Sequence, residues 1–172
     1  MENDITNKCK KTDDYFTLQL NQDEILKFPE YRTPLYYESW IWEGDKSVLP
    51  YKWMDLINDS KISINNLNNY SNLDDYLKKN FYKNSDFDEK SFFFITHRSH
   101  TAGCAYLDKN NIIKFLIVGN NHKNKQVEHS LITRAIKRAC EKNDNNQNTF
   151  EVKIDLTLTN INKGVFEKFG FK

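Results

Sequence analysis

Residues 116–132, with the sequence LIVGNNHKNKQVEHSLI, decide the fold of this chain. The apolar run that ends at Val118 has the length and residue types of a buried strand. A polar loop follows over residues 119–126, and from Val127 the apolar residues take the spacing of an amphipathic helix. Those residues are Val127, Leu131, Ile132, Ala135, Ile136, Ala139 and Cys140. A strand that passes through a short loop into a long helix predicts an α/β unit.

The sequence on both sides of this unit supplies further elements. An antiparallel hairpin of Gly103–Asp108 and Ile112–Val118 is predicted, because a turn of polar residues at 109–111 separates these two short apolar runs. After the long helix, residues 150–158 alternate apolar and polar, which is typical of a half-buried strand. The other predicted elements are a strand at Ser91–Thr96, a helix after Pro50, a loop at Lys61–Asn72, a helix at Leu73–Phe81, a turn at Lys142–Asn148, and a helix at Asn160–Phe169 ended by Gly170.

This order of elements predicts the α/β (α+β) class, with a mixed sheet flanked by helices. Residues 1–14 are polar and charged, and we expect them to be disordered. Residues 15–172 have the length of a single domain.

Composition excludes several classes of function. The chain has 172 residues, a formal net charge of +1 and only five glycines, where average usage gives about twelve. Such balanced charge predicts no nucleic-acid partner, and no apolar stretch is long enough to predict a membrane span. Three widely separated cysteines (Cys9, Cys104 and Cys140) without a CxxC pair predict neither a disulfide framework nor a metal site. The N-terminus has no signal-peptide pattern, so we expect a cytoplasmic protein.

Two motifs resemble those of the GCN5-related N-acetyltransferases, abbreviated GNAT. The first is the quoted stretch 116–132, which is similar to the family's acyl-CoA motif of strand, loop and helix. The second is Asn162–Phe171, NKGVFEKFGF, which is similar to the family pattern of an Asn, a Tyr four residues later, and Glu-Lys-x-Gly-Phe. The resemblance covers about residues 90–172 and implies a GNAT-like, mostly antiparallel central sheet.

The resemblance also implies acetyl-CoA as co-substrate and assigns residues to it. Residues Leu116, Ile117 and Val118 are expected to pair with the pantetheine arm. The pyrophosphate is expected at the loop and helix start, on Lys123, Asn124, Lys125, Gln126, Val127 and Glu128, with His122 beside it. A helix N-terminus suits an anion because its first N–H groups are free and its dipole is positive there. Asn162 is expected to contact the cofactor near its thioester.

The chain departs from the family pattern at three kinds of position. Family glycines correspond to Gln126 and Glu128, and in many members to Asn124. Gln126 keeps the backbone approach only if its φ is negative, and Glu128 introduces a carboxylate near the phosphates. The family's tyrosine, often the general acid that protonates the leaving thiolate, corresponds to Phe166, whose phenyl ring has no proton to donate. Most members continue past the position of Lys172, so the sheet is completed by a partner subunit or by the upstream segment, or the chain is truncated.

A general base is needed to deprotonate an amine acceptor. The candidates chosen as catalytic are Asp108, at a strand end, and His97, beside the first strand of the hairpin region; His100 and Asp155 are alternatives, and all four also suit turn or surface roles. An aromatic group, Tyr36, Tyr37, Trp40 and Trp42 with Tyr31 nearby, suits an acceptor pocket, a core or a dimer contact equally.

The sequence therefore predicts an acetyl-CoA-dependent N-acetyltransferase acting on a primary amine of a small molecule. An amino-sugar phosphate such as glucosamine 6-phosphate is one candidate acceptor, and protein amines are another. A homodimer is an open expectation. The alternative is a catalytically decayed family member that acts as an interaction or acyl-CoA-binding module.

Overall fold

The computed structural model describes residues 15–25, 33–41, 49–64, 67–143 and 149–172. Four of the sequence-based expectations lie outside these ranges: the disorder of residues 1–14, the environment of Cys9, the turn residues 144–148, and the placement of Tyr31 and Trp42. For Trp40 the backbone is described and the side chain is not.

One six-stranded mixed sheet organises the described residues, with the spatial order β1-β6-β5-β4-β3-β2. Neighbouring strands are antiparallel except β5 and β6, which are parallel. This confirms the predicted fold class. The strands are β1 Tyr15–Asn21, β2 Tyr37–Ile41, β3 Phe92–His97, β4 His100–Leu107, β5 Ile112–Val118 and β6 Thr149–Asp155.

Helices cover both faces of this sheet. The α-helices are α1 Gln22–Ile25, α2 Leu49–Ser60, α3 Leu73–Leu77, α4 Val127–Lys142 and α5 Lys163–Lys168. A π-turn at Lys78–Tyr82 continues α3, so the predicted helix Leu73–Phe81 changes its hydrogen bonding after Leu77. Short 3₁₀ turns lie at Leu67–Asn69, Glu89–Ser91, Asn120–His122 and Leu156–Leu158.

The continuous apolar run of β3 is explained by burial on both faces. Phe92 and Phe94 pack in a core with Trp53 of α2, whereas Phe93 and Ile95 pack in a second core with α4 and α5. Because successive side chains of a strand point to opposite faces, a strand between two helical layers needs apolar residues at every position.

Two strands that the sequence did not predict form the edges of the sheet, so the expected order, which began with helices, was incomplete. β1 pairs with β6 along its whole length, from Tyr15 opposite Asp155 to Asn21 opposite Thr149. Thr17 also exchanges two backbone hydrogen bonds of 3.0 Å with Lys172. Of the three ways considered for completing the sheet beside β6, the structure has the upstream segment.

The two last predicted elements have different limits in the structure. The expected strand over 150–158 ends at Asp155, and the expected helix Asn160–Phe169 begins only at Lys163, with Asn162 as its N-cap. The predicted helix stop is confirmed: Gly170 has φ +91° directly after α5, and Phe171 N–H bonds back to Phe166 C=O.

Gly103 allows α4 to lie close against β4. A Cβ at this position meets Val127 Cγ1 at 2.9 Å and the immobile Ile117 carbonyl oxygen at 3.1 Å. We therefore expect Gly103→Ala to lower the free energy of unfolding by about 1–3 kcal/mol, as overpacked cores do, when measured by urea denaturation.

Gly164→Ala is the matched control. Its added Cβ has one neighbour, Asn162 Oδ1 at 3.4 Å, and it lies inside α5, where alanine is favoured over glycine by up to about 1 kcal/mol. Equal destabilisation by the two variants contradicts the close contact at Gly103.

Candidate active site at the gap between β5 and β6

The two parallel strands of the sheet separate after two residue pairs. Ile112 pairs with Lys153 and Ile113 with Ile154, and the next contact is a single bridge between Leu116 and Thr159. Between these points β5 advances by three residues and the segment after β6 by five, so the sheet opens there. The opening is called the strand gap below.

Asp155 produces the strand gap. Its Oδ1 accepts hydrogen bonds from Thr157 N–H at 3.0 Å and from Thr157 Oγ1 at 2.6 Å, which caps the 3₁₀ turn at Leu156–Leu158. A side chain that accepts from the backbone two residues ahead offers the chain a turn in place of a strand. The pairing of β6 with β5 therefore ends at this residue.

A side-chain amide pairs with the end of β5. The N–H of Val118 donates to Asn160 Oδ1 at 3.0 Å, and Asn160 Nδ2 donates to the carbonyl oxygen of Val118 at 2.6 Å. Both hydrogen-bonding groups of Val118 thus face across the gap toward an amide. This is the position at which the resemblance places the pantetheine arm, and Leu116, Ile117 and Val118 are all fully buried there.

The loop after β5 has left-handed backbone at two positions where the family has glycine and this chain does not. Asn124 has φ +61° and Gln126 has φ +64°, both in the left-handed region. Gln126 therefore does not have the negative φ that was needed for it to replace the family glycine without strain. Left-handed conformations cost a residue with a side chain about 1–2 kcal/mol, and asparagine tolerates them better than glutamine.

Charges of both signs lie where this loop enters α4. Gln126 is the N-cap of α4 and makes no side-chain hydrogen bond to the helix, and Lys123 and Lys125 precede it in the loop. Glu128 places a negative charge in the first turn of α4. Its side chain is only 5% exposed, and its Oε2 is buried without a hydrogen-bond partner in the described structure. The helix start thus suits an anion apart from this one carboxylate.

Two residues of the second motif have structural contacts. Phe166, at the position of the family's tyrosine, is fully buried and packs with its ring 6.1 Å from that of Phe171. Asn162 uses its Oδ1 to accept the N–H of Gly164 at 2.9 Å as the cap of α5. The amide that reaches β5 belongs to Asn160 instead.

A cleft of about 400 Å³ adjoins the strand gap, and it is called the strand-gap cleft below. Its lining includes Tyr76, Tyr106, Asp108, Lys114, Asp155 and Thr157. Lys114 Nζ lies 3.7 Å from Asp155 Oδ2, so both signs of charge face the cleft. Burial raises the pKa of Tyr76 to about 12, with smaller contributions from Tyr70 and Asp155, and it also raises the pKa of Tyr106 to about 12.

Asp108 contacts the hairpin as well as the strand-gap cleft. Its Oδ1 accepts the N–H groups of Asn110 at 2.9 Å and Ile112 at 2.8 Å, which fixes the turn between β4 and β5. This is the turn role that the sequence offered as an alternative to catalysis.

A second cleft, of about 510 Å³, contains the other residue chosen as catalytic. It is lined by Asp55, Asp59, His97, His100, Thr101 and His122 among others, and is called the histidine cleft below. The Tyr37 hydroxyl lies 2.8 Å from His122 Nδ1, and the His97 ring is 4.7 Å from that of Tyr37. Within the described residues no group of three or more possible ligands is arranged to hold a metal ion.

The structure places His97 and Asp108 in different clefts. His97 precedes β4 and Asp108 follows it, and a strand of eight residues spans roughly 25 Å. The two residues therefore do not act on one proton. No local pattern indicates a role for Asn160, for Tyr76 or for the Tyr37–His122 contact, because each depends on residues far apart in the chain.

Comparison with known proteins identifies the family. A model of the acetyltransferase (GNAT) domain matches residues 61–172, well over half of the chain. The chain belongs to the GNAT acetyltransferase family. Proteins of this family in general carry out acetyl transfer, typically with acetyl-CoA.

A solved structure of a GCN5-related N-acetyltransferase from Sphaerobacter thermophilus is similar to this GNAT domain, with a TM-score of 0.57 and 9% sequence identity. The similarity covers 92% of this chain and 47% of that protein, so this chain spans about half of its length. At that identity the similarity shows the fold. No curated protein sequence matches the chain. No helix among the described residues is long and apolar enough to cross a membrane.

The left-handed loop residues give a stability prediction. Glycine has no steric penalty at positive φ, which stabilises the folded Gln126→Gly variant, while its greater conformational freedom stabilises the unfolded chain. We expect the first effect to be larger, so that the free energy of unfolding rises by about 0.5 kcal/mol. Lys123 has φ −62° and ψ 147°, which any residue adopts. Lys123→Gly should therefore lower the free energy of unfolding by about 0.4–1 kcal/mol, and urea denaturation of both variants tests the opposite signs. A loss in both variants contradicts the strain at Gln126.

The histidine cleft gives a pH prediction. Burial lowers the pKa of His122, helped by the nearby His97, Lys125 and His100 and opposed by Asp59. The folded chain therefore binds fewer protons here than the unfolded chain, and stability falls as the pH drops below the unfolded value of about 6.5. We expect His122→Asn to reduce that fall, measured as the free energy of unfolding between pH 7.5 and 5.5. An unchanged pH dependence contradicts the prediction.

Proposed function

We propose that this GNAT domain transfers an acetyl group from acetyl-CoA to a primary amine of a small molecule. The observation that carries the proposal is the strand gap, where the N–H and C=O of Val118 are paired with an amide that is not part of a strand. An extended pantetheine arm contains amides and can pair with β5 in the same way. This supports a fit between the arm and the residues at the gap.

The arm then runs from the start of α4 toward Lys114. With the pyrophosphate near Lys123 and Lys125, the four residues from Val118 back to Lys114 give the arm a path of about 13 Å along β5. Its thioester end comes to the strand gap, where Lys114 and Asp155 also line the strand-gap cleft. An acceptor in that cleft reaches the thioester from the face that carries α2 and α3.

The charges of the strand-gap cleft favour an acceptor that carries both signs. Asp155 and Asp108 attract an ammonium group and Lys114 attracts an anion, whereas Lys109 is paired with Asp86 of the same cleft. An amino-sugar phosphate has this pattern, which is the specific support for glucosamine 6-phosphate as one candidate. Protein amines remain the alternative acceptor.

Asp155 and Tyr76 are the side chains best placed for proton transfer at this end. The amine nitrogen attacks the thioester carbonyl carbon, the C–S bond breaks, and the amine proton passes to Asp155 or to water it holds. Phe166 has no proton for the departing thiolate. Tyr76, with a pKa of about 12, keeps its proton at neutral pH and lines the same cleft as Asp155, so it is the group assigned to protonate the departing thiolate. The histidine cleft, with His97, adjoins the loop at the pyrophosphate end of this path and not the thioester end.

The second candidate function is a GNAT domain that has lost catalysis. The buried carboxylate of Glu128 at the start of α4 favours it, because this charge opposes a pyrophosphate at the helix N-terminus. Isothermal titration calorimetry with acetyl-CoA, followed by a thiol-release assay over a panel of small amines, separates the two functions. Binding with turnover supports the enzyme, and no binding up to millimolar acetyl-CoA contradicts it.

Two charge changes test where the pyrophosphate binds. Lys123→Gln removes a cation beside the site and should weaken acetyl-CoA binding about three- to tenfold. Glu128→Gln removes the opposing carboxylate with the same side-chain shape and should tighten binding by a similar factor, since each change is worth about 1 kcal/mol. Calorimetry at low ionic strength measures both. Equal affinities for both variants and the unaltered protein contradict this placement of the pyrophosphate.

A further inference from the structure

Asn160 is the one side chain in the described structure that hydrogen-bonds to the main chain of Val118. It does so from an irregular segment, because Thr159 to Asn162 lies between the bridge to Leu116 and the start of α5. Its two bonds, at 3.0 and 2.6 Å, use one acceptor and one donor of a planar amide. A secondary amide of an extended chain presents the same pair of groups to a strand.

We propose that the Asn160 carboxamide is a built-in substitute for an amide of the pantetheine arm, and that acyl-CoA binds by displacing it from Val118. The proposal rests on the proposed function, since it takes the arm to lie along β5. It assigns a cofactor-linked role to Asn160, whereas the motif residue Asn162 caps α5 through its Oδ1.

Burial explains why a substitute is needed. Val118 is fully buried, and a buried N–H or C=O without a partner is costly. A strand that simply ended its pairing at the gap leaves both groups of Val118 unpaired when no cofactor is bound. The Asn160 amide satisfies them in the free protein, so the strand gap is stable without acyl-CoA.

The same contact makes cofactor binding an exchange. Each hydrogen bond that the arm forms with Val118 replaces one that Asn160 already makes, so these bonds add little to affinity. The conformation with Asn160 turned away is the one that binds. The observed affinity is the affinity of that conformation multiplied by the fraction of molecules that adopt it. Removing the carboxamide abolishes this competition.

Asn160→Ala tests the exchange directly. We expect it to bind acetyl-CoA, and pantetheine alone, about tenfold more tightly than the unaltered chain by isothermal titration calorimetry. Adenosine 3′,5′-bisphosphate, which has no pantetheine arm, should bind both proteins equally. Asn58→Ala, at an exposed carboxamide on α2, serves as the control and should leave all three affinities unchanged.

Hydrogen exchange of the Val118 amide gives a readout that does not depend on activity. In the unaltered chain this amide should be protected with or without acetyl-CoA. In Asn160→Ala the protection should fall at least tenfold without ligand and return when acetyl-CoA is added. Asn160→Ser, which retains a short polar side chain, replaces the alanine variant in both measurements if that variant does not fold.

The outcomes separate the two proposals. If the unaltered chain binds acetyl-CoA and the Asn160 variants bind it equally or more weakly, Asn160 is not a substitute and the inference is overturned, while the proposed function stands. If only the variants bind, the role of Asn160 as a substitute is supported, while the proposed enzyme function of the unaltered chain is contradicted. If no protein binds acetyl-CoA or pantetheine, the proposed function fails and the inference fails with it.

Discussion

The pair of hydrogen bonds from Thr157 to Asp155 is the constraint on which the site depends. Parallel strands that stay paired leave no room between them, and β5 and β6 belong to the middle of the sheet. By turning the chain at Asp155, these bonds convert two buried neighbouring strands into a gap. The strand-gap cleft, the free edge of β5 and the position of Asn160 all follow from this one turn.

Much of the fold could be predicted from the sequence because its central unit has strong local patterns. The strand Ile112–Val118 and the start of α4 at Val127 match the prediction residue for residue, since apolar spacing decides both. The edge strands were missed for a physical reason. β1 has only two buried positions, Leu18 and Leu20, and its structure depends on pairing with β6, whose residues lie 128 to 140 positions away in the chain.

The candidate site could be predicted only in outline. The motif located the loop and the strand, but the left-handed φ of Gln126 runs against the local preference of glutamine and is imposed by the surrounding fold. The contact of Asn160 with Val118 joins single residues 42 positions apart, and no periodicity marks such a pair. His97 and Asp108 lie apart because His97 precedes β4 and Asp108 follows it. The predicted strands already imply this separation, although both residues were candidates for catalysis.

The hydrogen bonds of Thr17 with Lys172 and the pairing of β1 with β6 also set an order of events during synthesis. Residues 15–21 leave the ribosome early, yet their partners are residues 149–155 and Lys172. Until those are made, β1 is an unpaired apolar strand, and contacts between such distant residues form slowly. The sheet of this GNAT domain is therefore complete only once β6 has been made, and the strand gap at the end of β6 forms no earlier.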